Sequence, residues 1–398
     1  MAEVTNYIDR LVAELCPDGV EYRPLGELLA YEQPTKYLVS SKDYDESYPT
    51  PVLTAGKTFI LGYTNETEGI YPASEEEPVI IFDDFTTAFK WVEFPFKAKS
   101  SAMKMLTLKS GTNSLFKYVY YAMQCIVYNS SDHARQWISK YSNIEIPVPP
   151  MEIQEVIVEI LDKFTNLEAE LEAELEARTL QYEYYRDLLL ASFSEPAVKF
   201  YSIKELFTTR NGYTPSKSNS SYWENGTVPW FRMEDIRENG GVLSEALQSV
   251  HESALKKGGM FPAGSIIVAT SATIGEHALI NVDFLCNQRF TVLTPNEEFK
   301  SLLLPKFLYY YSFVLDRWCL ANTTQSSFAS VDMKRFKKFE FPLPSLEEQQ
   351  RIVDILDRFD ALTSSLSEGL PAELAARRSQ YEYYRDQLLS FPRKGENL

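Results

Sequence analysis

One stretch of this chain is written twice. Pro147-Val-Pro-Pro-Met-Glu-Ile-Gln-Glu-Val-Ile-Val-Glu-Ile-Leu-Asp-Lys-Phe164 returns as Pro342-Leu-Pro-Ser-Leu-Glu-Glu-Gln-Gln-Arg-Ile-Val-Asp-Ile-Leu-Asp-Arg-Phe359, an offset of 195. Gln181-Tyr-Glu-Tyr-Tyr-Arg-Asp187 returns letter for letter as Gln380-Tyr-Glu-Tyr-Tyr-Arg-Asp386. Between Pro147 and Leu167, 11 of 21 positions match Pro342 to Leu362. A duplication on this scale confines the chain to two similar halves, each a variable block followed by a near-constant segment. The boundaries read as 1–146 and 196–341 for the blocks, 147–195 and 342–398 for the repeated segments.

Both repeated segments carry helical periodicity. Ile153, Ile157, Ile160, Phe164, Leu167, Leu171 and Leu175 recur at three- and four-residue steps, and Tyr182, Tyr185 and Leu189 continue the stripe. Ile352, Ile355, Phe359, Leu362, Leu366, Leu370, Leu374, Tyr381, Tyr384 and Leu388 do the same. Stripes this narrow call for a partner helix, and the two segments are expected to pack on each other as an antiparallel coiled coil. The first spans about 40 residues, roughly 60 Å. Gly369-Leu-Pro371 inside the second predicts a kink or break, because proline suits the first turn of a new helix. Glu168-Ala-Glu-Leu171 is followed at once by Glu172-Ala-Glu-Leu175, a unit that either fills a solvated helix or sets its length.

The blocks read differently. Residues 5–16 predict a short amphipathic helix with Ile8, Leu11, Val12 and Leu15 on one face, stopped by Pro17-Asp-Gly19. Leu25, Glu27 and Leu28 then match Ile203, Glu205 and Leu206, so the opening of each block belongs to the repeat. Pro78–Asp84, Ala102–Leu108, Gly264–Thr270 and Arg289–Thr294 predict short apolar strands, and Ser114–Tyr128 and Leu304–Cys319 predict closing helices. The expected class is α+β: two globular domains of similar fold, each followed by a long helix.

Net charge is −17, which would disfavour nucleic acid if it were evenly spread. It is not. The repeated segments carry −9 and −3 and the first block −7, whereas the second block carries +2. Affinity for a polyanion follows local basic surface, and the total implies help from more basic partners. Four scattered cysteines and three histidines point to a reducing cytoplasm and to neither a disulfide framework nor a zinc site. The opening ten residues are charged too early for a secretory leader, and the apolar run Phe307–Leu315 is too short to span a bilayer.

Catalytic patterns are weak. Ala55-Gly-Lys-Thr58 lacks the first glycine of a phosphate-binding loop. Asp283 with Glu298-Phe-Lys300 outlines a nuclease set but reads as a surface turn, and Asp83-Asp84 reads as a strand end. No cofactor loop, methyltransferase motif or nucleophile triad stands out, so no catalytic residue, metal or cofactor is expected.

Binding signals are more numerous. Lys97, Lys99, Lys104 and Lys109 lie along one run, and Lys334, Arg335, Lys337 and Lys338 form the densest basic cluster. Both suit phosphate contact, which positions a protein without reading sequence. Loops carrying Lys217, Thr273, Gln288, Arg289 and Gln325 offer amide and guanidinium groups that suit adenine and guanine in the major groove.

The duplicated Pro-x-Pro-x-x-Glu-x-Gln, the repeated Gln-Tyr-Glu-Tyr-Tyr-Arg-Asp and Gly369-Leu-Pro-Ala-Glu373 resemble the specificity subunits of type I DNA restriction–modification systems. Phe200-Tyr-Ser-Ile-Lys-Glu-Leu206, Gly212-Tyr-Thr-Pro-Ser216, Tyr222-Trp223 and Pro229-Trp230 also look like the opening of a target-recognition domain. The first helix departs from the family pattern in lacking a Gly-Leu-Pro insert. The resemblance implies two target-recognition domains that read an asymmetric, split double-stranded DNA site. Spacer helices, with Ile157, Phe164, Leu171, Tyr182, Tyr185, Ile352, Phe359, Leu366, Tyr381 and Tyr384 along their stripes, would dock two methyltransferase subunits. Those subunits would hold S-adenosylmethionine, and motor-nuclease subunits using ATP and magnesium would join for cleavage. The alternatives are a self-contained restriction enzyme and a coiled-coil scaffold that reads no DNA.

Overall fold

Each block leaves and returns through one pair of antiparallel strands. Glu21–Pro24 pairs with Glu145–Val148, and Lys199–Ser202 pairs with Glu340–Leu343. The repeated prolines Pro147 and Pro342 face Tyr22 and Phe200 in these two-stranded ribbons, where a strand edge tolerates a missing amide donor. A single helical turn follows in each, Leu25–Leu28 and Ile203–Leu206, with both leucines and both Ile203 and Leu206 wholly buried. The second turn is capped by Glu205, whose carboxylate accepts from the Ser202 amide at 2.8 Å.

The computed structural model describes residues 2–56, 58–128, 134–193, 197–324, 329–364 and 369–395. Within it the chain forms two units: Met1–Leu171 with Leu374–Leu398, and Glu172–Glu373. Each unit therefore joins one variable block to helical turns from both repeated segments.

The main sheets share one plan. In the first unit, strands Leu29–Glu32, Met103–Leu108, Val79–Asp83 and Phe89–Val92 lie side by side, all antiparallel. In the second the order is Phe207–Asn211, Phe290–Pro295, Ser265–Ala269, His277–Ile280, with Val242–Leu243 added in parallel at the edge. The four predicted strands are all present. Their central positions are buried on both faces, which is why they read as continuous apolar runs.

Helix Phe116–Gln124 contributes Tyr118, Tyr121 and Met123 to the first core, and Pro305–Ala321 supplies Phe307, Tyr310 and Leu315 to the second. The first is shorter than Ser114–Tyr128 because the Cys125 and Ile126 amides turn back onto Ala122 and Met123. At the amino terminus, Ala2–Leu15 is helical, with Ile8 buried and Leu11 and Val12 against the core. Leu15, expected on that face, is exposed.

The repeated letters have local jobs. Gln154 and Gln349 are wholly buried. Gln154 Oε1 accepts from the Leu115 amide at 2.9 Å, and Gln349 Oε1 accepts from the Leu304 amide at 2.9 Å. Each Nε2 donates to the carbonyl of a proline just before its own helix, Pro149 or Pro344. One glutamine thus satisfies orphan groups where two helices begin. Asp162 and Asp357 likewise accept from Tyr121 and Tyr310 and pair with Lys117 and Lys306.

The first repeated segment is one helix, Met151–Ala191. The second is two, Leu346–Ser364 and Leu370–Leu388, with Gly369 at φ +82° where glycine alone is at ease. That is the expected break. Antiparallel helix contact runs inside each unit. In the first, Phe164 meets Tyr381 and Tyr384 while Glu168 pairs with Arg378 at 2.6 Å. In the second, Phe359 meets Tyr182 and Tyr185. The opening turns depart from a helix-to-helix stripe: Ile153 and Ile157 pack into the first block's core and Ile352 into the second's. Leu171 is half-buried, and Leu366 lies outside the described residues. Among the described residues, no helix is long and apolar enough to cross a membrane.

Candidate nucleic-acid interface

Beside each main sheet lies a small one of three strands. Thr50–Leu53 pairs with Ile60–Thr64 and runs parallel to Lys97–Ala98; Val228–Phe231 pairs with Ser249–Val250 and runs parallel to Leu285–Cys286. The registers coincide. Leu53 faces Ala98 as Phe231 faces Cys286, and the next amide, Lys99 or Asn287, donates back to Leu53 or Phe231 at 3.0 and 3.1 Å. Thr54 therefore occupies the place of Arg232, and Lys99-Ser-Ser101 the place of Asn287-Gln-Arg289. Parallel strands end side by side, so in both units two loops emerge together at one edge.

In the second unit these loops border a cleft of about 650 Å³. One wall is built on the segment 211–223. Gly212 passes so close to the carbonyls of Cys286 and Asn287 that any Cβ would collide with them. The Tyr213 amide donates to Cys286 O at 2.8 Å, and the Trp230 indole to Tyr213 O at 3.0 Å. Trp223 meets Trp230 edge to face at 5.1 Å and donates to Ser216 O. Below them, burial pushes the Cys286 thiol well above its ordinary range, so it stays neutral and inert.

Three residues expected from sequence converge here. Lys217, Gln288 and Arg289 are exposed and line the cleft, with Gln288 held by the Thr214 hydroxyl at 2.5 Å. Arg232 and Gln248 also line it and were not anticipated. The only sequence signal for Arg232 was its place directly after the apolar run Val228-Pro-Trp-Phe231. Thr273 lies elsewhere, half-buried in a turn where Ala272 has φ +66°. Gln325 falls outside the described residues.

The basic cluster is an exposed knuckle. Helix Met333–Phe336 is capped by Asp332, whose carboxylate accepts from the Lys334 and Arg335 amides at 2.9 and 3.3 Å. Phe336 is wholly buried and anchors the turn, leaving Lys334, Arg335, Lys337 and Lys338 exposed. A fixed backbone with four free-standing cations suits phosphate contact.

Two expected lysines are corrected. Lys97 is 3% exposed, paired with Glu66 at 2.7 Å and donating to Glu68 O. The bond from Lys97 holds the Glu66 carboxyl below its ordinary range. Lys104 is wholly buried, 3.0 Å from Asp84. Neither ammonium reaches the surface as folded. Lys99 is half-buried and donates to the Tyr44 hydroxyl at 2.8 Å. Lys109 donates to Gly26 O.

The weak catalytic patterns resolve into structural roles. Asp283 accepts from the Ala263 amide at 2.9 Å, Lys300 pairs with Glu297, and Asp83 accepts from the Phe85 and Thr86 amides of a turn. Asp84 accepts from the Trp137 amide at 2.8 Å. Among the described residues, no group of three or more His, Cys, Asp or Glu side chains is placed to hold a metal.

Comparison with known proteins agrees with this two-fold design. Residues 17–177 and 197–376 each match the type I restriction modification DNA specificity domain. The chain is 48% identical over 408 aligned residues to the type I restriction enzyme EcoR124I/EcoR124II specificity subunit of Escherichia coli, covering 98% of both. It is 54% identical over 201 residues to the EcoprrI specificity subunit of the same species, about half of each chain. In fold it is similar to a chain from a structure of the type I R-M system (TM-score 0.58, 16% identity, 93% of this chain and 97% of that one). It is also similar to the S subunit of M. genitalium (TM-score 0.51, 14% identity, 93% and 96%). Two domain matches spanning most of its length, on a duplicated fold, make this chain a member of the type I restriction–modification specificity-subunit family.

Proposed function

We propose that this chain is the DNA-reading subunit of a type I restriction–modification complex and carries out no catalysis itself. Each block reads one part of an asymmetric, split site. The reading rests on one observation: two topologically equivalent loop edges carry different side chains, Thr54 and Lys99-Ser-Ser101 in one unit, Arg232 and Asn287-Gln-Arg289 in the other. Equal scaffolds with unequal tips are what two different half-sites require, whereas a symmetric dimer reads a palindrome.

Sequence reading and positioning divide between different residues. Lys217, Gln288 and Arg289 offer groups for base edges, Thr273 sits on a further loop, and Lys334, Arg335, Lys337, Lys338 and Lys99 hold phosphate. The repeated helices space the readers and dock two methyltransferase subunits, which supply S-adenosylmethionine chemistry, and motor-nuclease subunits join for cleavage. The strongly negative total charge suits a reader that borrows basic surface from such partners.

Methylation mapping of DNA from cells expressing this chain with its methyltransferase tests the proposal. The expected result is a motif of two short blocks around a fixed gap, absent without this chain. Methylation independent of the chain would leave a helical scaffold with no reading role.

A further inference from the structure

One guanidinium in the second unit is held in place without hydrogen-bond partners for all of its donors. The Arg232 amide donates to Asp235 Oδ2 at 2.7 Å, and Asp235, wholly buried, also accepts from the Leu247 amide at 2.6 Å. The backbone at Arg232 is therefore fixed by a buried carboxylate. Its guanidinium carbon lies 5.6 Å from the Trp230 ring centroid. Nε is buried and makes no hydrogen bond, the nearest carboxylate oxygen being that of Glu234 at 3.9 Å. A buried donor left unmade is costly unless something supplies an acceptor.

The cleft in front of it suits a base edge better than a phosphate. Its walls are the Trp223 and Trp230 rings, and the amides of Gln248 and Gln288 share the space. Arg232 is recessed, its side chain 30% exposed, unlike the cations of the 334–338 knuckle. A planar fork of donors matches the two adjacent acceptors, O6 and N7, that guanine alone presents in the major groove. At the equivalent place in the first unit, Thr54 donates its hydroxyl to its own loop at Thr58 O. The feature belongs to one block only.

We propose that Arg232 is the guanine-reading side chain of the second block, an assignment that rests on the function proposed above. Its guanidinium donates to O6 and N7 of one guanine in one half-site, with Trp230 and Asp235 as positioning residues.

The test uses the full chain in complex with its methyltransferase subunits, on duplexes carrying the mapped site. Arg232→Met keeps the apolar stem against Trp230 and removes the donors. The expected result is a loss of discrimination at one G·C pair of about 5- to 100-fold, with the other half-site read as before. That second half-site is an internal control for folding and assembly. In the wild-type chain, 7-deazaguanine at the same position should weaken binding, and Arg232→Met should lose nothing further from that substitution. The proposal is overturned if Arg232→Met weakens binding equally on every sequence, as a phosphate contact would, or if the 7-deazaguanine loss persists undiminished in the variant. It is also overturned, with no variant needed, if no guanine in the wild-type site is sensitive to 7-deaza substitution. Failure of the broader function would look different: no chain-dependent motif would exist to scan.

Discussion

Phe164 stacks on Tyr384 with ring centroids 5.8 Å apart and planes 28° apart. The same residues with their repeat roles exchanged, Phe359 and Tyr185, stack at 5.8 Å and 26° in the other unit. Each phenylalanine comes from one copy of the repeat and each tyrosine from the other. Phe164→Ala should therefore loosen the first unit alone, by about 1–3 kcal/mol for a half-buried aromatic. Amide exchange read by mass spectrometry should accelerate across residues 374–388 and stay unchanged across 346–364. Equal acceleration in both segments would mean that the two stacks do not act separately.

Lys104 supports structure where a surface lysine was expected. Lys104→Met strands the buried Asp84 carboxylate and should cost about 3–5 kcal/mol in urea unfolding. Asp84→Asn in the same chain should restore part of that loss. Near-normal stability in Lys104→Met, with weakened DNA binding, would return this lysine to the phosphate-contacting set.

The knuckle at 334–338 makes the opposite prediction. Lys334→Gln with Lys338→Gln should leave folding unchanged, Phe336 and Asp332 being untouched, and lower affinity on all sequences alike. The slope of log affinity against log salt should shrink by about 0.9 per contact, near 2 in total. A changed sequence preference with an unchanged slope would move these residues into the reading set.

Asp360 gives a pH prediction. Burial holds its carboxyl above the ordinary range; Ser364 opposes this and the nearby Asp357 adds to it. A folded-state pKa raised above the unfolded value means that the ionised form costs stability. The cost is absent below the unfolded value, about 4, and complete above the folded one. Asp360→Asn should thus raise the urea midpoint at pH 7, the gain closing as pH falls toward 4. A gain that is the same at both pH values would place its origin outside ionisation.

The tandem Glu168-Ala-Glu-Leu171 and Glu172-Ala-Glu-Leu175 lies within one continuous helix. A third copy adds about 6 Å of helix, against about 3.4 Å per base pair. Methylation mapping should then find a longer gap between unchanged half-sites. An unchanged gap would remove the helix from any measuring role.

Much of this architecture was legible in the letters because duplication and helical periodicity are local signals. The four apolar strands, both closing helices and the break at Gly369 were all readable in that way. Burial of Lys104 was not, since its partner Asp84 lies 20 residues earlier and meets it only once Phe82 pairs with Lys104 across the sheet. Arg232 escaped for a similar reason: its cleft is assembled from segments near 213, 230, 248 and 288 that no sequence window holds together. Conversely, Gln154 and Gln349 were visible as repeated letters, but the amides of Leu115 and Leu304 that explain them were not.

The paired strands that close each block also make it separable as a unit. Everything between Glu21–Pro24 and Glu145–Val148, or between Lys199–Ser202 and Glu340–Leu343, enters and leaves at one place. Repeated peptide flanks the second block, so both of its borders meet similar helical sequence. A different block grafted between such borders would arrive beside the same glutamine, aspartate and phenylalanine. Exchanging everything between the paired strands would replace one whole reader and leave the helices as they are.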